Sequence, residues 1–178
     1  MWKKNILTLM VLLPLAVAGQ MERRTSPLSM VTSRYKDTYL KITYSQPQAK
    51  ERVVFGGLVP YGKVWRTGAN EATELTVTHP ITVNGTEINA GTYSIFTVPD
   101  KNKWTIIFNS DLGQWGSYNY NEKKDVIRFD VPVQKINQPE EAFKIQIDPL
   151  NNKAIVSMRW EHTQVSFEIL YSEPPAKK

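Results

Sequence analysis

Four side chains within the run Trp65–Glu71 bring together an indole, a forked cation, an amide and a carboxylate: Trp65, Arg66, Asn70 and Glu71. Such a set suits recognition of a small polar ligand. The indole stacks on a ring, the guanidinium bonds a carboxylate bidentately, and the amide and acid fix orientation. A sugar, a carboxylate or a peptide end would fit. The structural alternative has Trp65 plugging the end of a sandwich while Arg66 pairs with Glu71 to pin the loop. An exposed pair of that kind stabilises by only about 0–1 kcal/mol.

A second irregular stretch, Ser110–Lys124, carries Trp115, Tyr118 and Tyr120. These aromatics either extend a platform beside Trp65 or cover a core edge. Trp115 and Tyr118 therefore join Trp65, Arg66, Asn70 and Glu71 as candidate ligand-binding residues. Asp111 lies on the same stretch, and Glu71 with Asp111 supplies the two carboxyls of a hydrolase. Glycoside hydrolysis needs such groups roughly 5–10 Å apart.

Other chemistries find no residues. The chain has no cysteine, which excludes disulfides, thiol nucleophiles, cysteine zinc sites and a lipid anchored on cysteine. His79 and His162 have no second ligand at a metal-binding spacing, so no metal or cofactor is expected. No G-x-S-x-G occurs. Gly56, Gly57, Gly62 and Gly68 match neither the dinucleotide nor the Walker spacing, and their role is backbone geometry. The formal charge is +5. Without Lys3 and Lys4, 20 basic residues face 17 acidic ones, leaving +3. No basic block occurs, so nucleic acid is not an expected partner. The partner expected is a small molecule, a glycan or a peptide.

The elements that must position these residues are strands. Thr38–Ser45 alternates, with Leu40, Ile42 and Tyr44 on one face. Arg52–Phe55 reads as a short apolar strand and Glu74–Thr78 as another. Ile81–Val83 and Thr86–Ile88 flank Asn84-Gly85, the pair a type I′ hairpin requires; the turn also explains the asparagine of Asn84-Gly85-Thr86 better than glycosylation does. Thr92–Val98 is apolar on both faces and reads as central. Trp104–Asn109 pairs with it. Val126–Ile136 is a strand whose Pro132 marks an edge or bulge. Ala142–Asp148 follows, then Lys153–Trp160 and Thr163–Leu170, a pair joined through Glu161-His162. Trp104 and Trp160 fall in phase with inward residues. About ten strands with no helical period predict an all-β fold, a single antiparallel β-sandwich or jelly-roll-like domain.

Residues 1–19 read as a signal peptide: Lys3 and Lys4, an apolar run from Ile6 to Val17, and the small-x-small site Ala16-Val17-Ala18, with cleavage after Ala18 or Gly19. The run falls short of the roughly 20 residues that span a bilayer. Residues 20–29 form an arm, 30–171 the sandwich and 172–178 a tail. The expected location is the periplasm or the medium, with no transmembrane segment in the mature chain.

Phe55–Thr73 (FGGLVPYGKVWRTGANEAT), then Asn84-Gly85 and Ala90–Pro99 (AGTYSIFTVP), then Trp104–Asn109 (WTIIFN), resemble a secreted family catalogued as domain of unknown function 2911, seen chiefly in Bacteroidota. The resemblance runs from about Leu28 to Leu170, and Trp115-Gly116, Tyr120 and Arg128 also fit it. It implies a secreted protein of a Gram-negative envelope. It carries no activity, substrate or site residue with it.

Overall fold

The computed structural model describes residues 24–172. The expected signal peptide, the arm as far as residue 23, and residues 173–178 of the tail lie outside the described residues.

Ten strands form two antiparallel sheets: β1 (Leu28–Tyr35), β2 (Thr38–Ser45), β3 (Thr73–Val77), β4 (Ile81–Val83), β5 (Thr86–Ile88), β6 (Gly91–Pro99), β7 (Lys103–Asn109), β8 (Asp125–Pro132), β9 (Gln134–Leu150) and β10 (Lys153–Tyr171). One sheet has the order β1-β2-β3-β6-β7-β8 and the other β5-β4-β10-β9. The period-2 patterns explain the assignment. Leu40, Ile42 and Tyr44 of β2, Ile127, Phe129 and Val131 of β8, and Phe143, Ile145 and Ile147 of β9 all point into one core, since successive strand side chains face opposite ways. The Asn84-Gly85 turn takes φ of 48° and 76°, as a type I′ hairpin requires. Pro132 ends β8, an outer strand of its sheet, where a missing N–H breaks no ladder.

Two segmentations differ from expectation. Arg52–Phe55 is not a strand; Phe55 makes only an isolated bridge to Val59 within a tight loop. Val126–Ile136 is not one strand either. It breaks at Val133, whose N–H turns to Asn102 O at 2.9 Å, and the chain crosses from the first sheet to the second.

The 19-residue β10 would span about 60 Å if straight. Yet the Tyr171 N–H donates to Asn152 O at 2.9 Å, and Lys153 Nζ bonds the Glu168 carboxylate. The strand therefore doubles back. The reversal falls at Glu161, where φ is 48° and the pairing with β9 slips on either side. The expected reversal at Glu161-His162 is thus present inside one continuous extended element. β4 pairs with the second arm, while β9 pairs with the first arm and follows the bend round to Thr163 and Gln164.

One corner joins the sheets. The chain leaving β2 runs onto β9: Phe143 N–H donates to Pro47 O and Ala49 N–H to Glu141 O, both at 2.8 Å. From here the long connection to β3 sets out. It closes over the outer face of the first sheet, where Ala72, Phe96 and Ile107 make a small second core with Val64, Val98 and Tyr120.

Candidate functional site

The connection begins with a turn at Ala49–Arg52. The Arg52 N–H bonds Ala49 O at 3.1 Å, and Lys50 and Glu51 take φ of 50° and 59°. Gly57 follows because nothing larger fits: a Cβ there would stand 2.4 Å from Val53 O. The chain then reaches β6, where Trp65 exchanges backbone hydrogen bonds with Thr97 (2.7 and 2.9 Å). That pairing turns the indole inward. Trp65 is 8% exposed, stacks with Trp160 at 5.9 Å and meets Phe143 at 5.0 Å. Its N–H is satisfied by Gly68 O at 3.0 Å. Of the two readings of Trp65, the plug is the one formed: the ring is packed into the core, and its edge borders a cleft.

The Arg66–Glu71 pair that went with the plug reading is not formed. Glu71 bonds Arg24 at 2.9 Å. Burial pulls its carboxyl upward, but the Arg24 and backbone hydrogen bonds, the Arg24 charge and the Ser45 hydroxyl outweigh it, and the acid sits below its ordinary range. Arg66 makes no ion pair among the described residues. Its Nε is buried without an acceptor, and burial lowers the guanidinium from its usual value while Tyr118 opposes the shift.

The second stretch does reach the first. Ala72 N–H donates to Gln114 O (2.8 Å) and Gly116 N–H to Asn70 O (3.0 Å). Ser117 Oγ donates to Val64 O (3.0 Å). Trp115 and Tyr118 are 60% and 84% exposed, so their faces are open to solvent. Tyr120 instead packs on Phe96. Its hydroxyl donates to Asp125 at 2.6 Å and accepts from Arg128 at 2.7 Å. Burial, reinforced by Asp125, pushes it up to about 12.

Asn70 ties both stretches to the amino-terminal segment, its amide donating to Ser26 O at 3.3 Å and Ser45 Oγ at 3.4 Å. Gln46 N–H adds a bond to Pro27 O at 2.9 Å. Arg24–Leu28 thus forms a strap between two clefts. The first, about 350 Å³, has a floor of Pro47, Leu58, Val59, Trp65 and Trp160, with Lys50, Arg52 and Arg66 around it and Thr25 and Ser26 on the strap side. The second, about 460 Å³, holds Arg24, Leu28, Tyr44, Glu71 and Glu74. The six candidate residues are therefore divided. Trp65 and Arg66 belong to the first cleft, Glu71 to the second, Asn70 to the join, and Trp115 and Tyr118 to the open surface nearby.

Asp111 lines neither cleft. Its backbone is tied to Ser94 Oγ (2.7 Å) and Asn109 Oδ1 (2.9 Å). His79 is close to Thr78 Oγ1, and His162 Nδ1 donates to Ile136 O at 3.0 Å. Among the described residues no group of three metal-ligating side chains converges, and no helix is long and apolar enough to cross a membrane. Sequence reasoning missed Lys50, Arg52 and Trp160. Lys50 and Arg52 sit on a turn that lacks the usual Asn-Gly signature, and Trp160 arrives from β10, far away in sequence.

These features define a β-sandwich of two antiparallel sheets with a loop-built cleft where the sheets join. The chain belongs to the family described as protein of unknown function (DUF2911), which matches residues 26–169, from the strap to the second arm of β10. No curated protein and no solved structure matches the chain.

Proposed function

We propose that this protein is an exported binding module, of a Bacteroidota envelope, that takes a small polar ligand such as a glycan or peptide fragment in the cleft bordered by Trp65 and Arg66. The observation that carries this reading is the cleft itself. Its volume of about 350 Å³ lies within the size range of small-molecule sites, and it combines an apolar floor with a few convergent polar groups. Asn70 holds the strap at its side, and Tyr118, close enough to Arg66 to act on its charge, offers an exposed ring. Export rests on residues 1–19, with their basic start, apolar run and small-residue cleavage site.

A hydrolase built on Glu71 and Asp111 has less behind it. Glu71 is engaged by Arg24, and Asp111 is not among the residues lining the same cleft.

The test is a glycan and metabolite panel titrated into the mature chain, read by tryptophan fluorescence because Trp65 and Trp160 border the cleft. A saturable change that Arg66→Ala abolishes is expected. Binding unaltered in Arg66→Ala would place the ligand elsewhere and sink the reading. Amino-terminal sequencing of protein from the periplasm or medium should start at Gly19 or Gln20.

A further inference from the structure

Resting on that reading, we infer that the ligand of the first cleft is an organic anion: a carboxylate or phosphate head on a compact apolar body. Lys50, Arg52 and Arg66 line this cleft, and among the described residues no aspartate or glutamate does. None of the three is in an ion pair among the described residues, a state they share with Arg34 and Arg159; what sets them apart is that they line one cleft.

Four glutamates line the neighbouring depression and not this cleft. Arg52 stands on the wall between this cleft and a shallow depression holding Glu51, Glu140, Glu141 and Glu161. Its Nε and one terminal nitrogen are turned to the carbonyls of Ala49 (2.9 Å) and Gln48 (2.7 Å), which orient the fork without cancelling its charge. Glu141 is occupied by the backbone N–H of Lys50 at 2.8 Å. Arg66 adds a buried Nε that lacks any acceptor, and an unmet donor of a charged group is costly.

The chain also bears strain to hold this arrangement. Lys50, Glu51, Thr67 and Asn70, all with φ between 50° and 59°, flank the cleft. Left-handed conformations of such residues persist where the surroundings impose them, often at ligand sites. A neutral sugar would leave three cations uncompensated, and a cation would be repelled. The floor of Leu58, Val59, Trp65, Trp160 and Pro47 calls for an apolar body behind the charged head.

The experiment titrates mature protein at low ionic strength with benzoate, phenyl phosphate, benzamide and benzylamine, by calorimetry and tryptophan fluorescence. At least one of the two anions should bind about tenfold or more tighter than benzamide, and the tighter of the two identifies the head. Salt should weaken it. Lys50→Gln, at an exposed position, and Arg66→Gln should each weaken it about tenfold, since each removes one charge-assisted partner. Benzamide or benzylamine binding as tightly as both anions overturns the charge inference and leaves a ligand cleft standing. No binding by any probe at millimolar concentration, or anion binding indifferent to both variants, overturns the anion inference, and the glycan and metabolite panel then decides the cleft reading by itself.

Discussion

Glu51 has an exposed side chain and a backbone φ of 59°, a conformation that costs an L-residue about 1–2 kcal/mol. Asn-Gly would be the favoured pair at such a turn, and Lys50-Glu51 stands there instead. Glu51→Gly should raise the stability in urea by about 1 kcal/mol, because glycine removes the strain at a modest entropic cost. An unchanged midpoint would mean that the turn is not strained. Thr67, at φ 56°, is the opposite case. It is fully buried; its carbonyl accepts from Thr73 Oγ1 and its hydroxyl donates to Thr97 Oγ1, so glycine there would relieve the strain but lose the hydroxyl's hydrogen bond. Tyr120 gives a pH signature. Its hydroxyl is held neutral to about 12, against an ordinary 10.0. The folded chain keeps this proton where the unfolded chain loses it, so the stabilisation is complete below pH 10 and fades as pH rises toward 12. Tyr120→Phe should remove that part of the alkaline slope in pH-dependent denaturation; an identical slope would show that Tyr120 titrates normally.

At the scale of elements, the strap and the two long loops are one assembly. Arg24 reaches Glu71, Asn70 reaches Ser26, and Gln46 bonds Pro27. The Glu71 carboxyl lies below its ordinary value of 4.5. Its contribution is therefore complete above that value and is lost as pH falls through the lowered one. The pair is exposed, so its worth is at most about 1 kcal/mol. Glu71→Gln at neutral pH should speed amide exchange at Gln46 by up to about fivefold; an unaltered rate would mean that the ion pair does not hold the strap. The glycines belong at this scale as well. Gly57 is required by the approach of Val53 O, and the connection folds tightly enough to bring Trp65 against Trp160. Reading these glycines as backbone permissions agrees with that geometry. Reading Arg52–Phe55 as a strand does not, because the apolar run of three residues, Val53–Phe55, carries no information about a pairing partner.

Across the whole molecule, the main core is filled from both sheets, with Phe55, Trp65, Trp104, Phe143 and Trp160 clustered at the corner where β2 runs onto β9. The amino-acid sequence alone determined the all-β class, the inward faces of β2, β8 and β9, the Asn84-Gly85 hairpin, the inward Trp104 and Trp160, and the absence of thiol chemistry. Alternation and turn chemistry are local, and a period of two can be read without knowing the partner strand. Only the tertiary structure decided that Trp65 is a plug, that Glu71 answers Arg24 instead of Arg66, and that Lys50, Arg52 and Trp160 share a cleft with Arg66. It also decided that β10 remains one extended element through its reversal. Those outcomes depend on which distant segments meet at the corner between the sheets. Contacts of that kind are fixed by packing and by the pairing of distant segments, and no short window of sequence contains them.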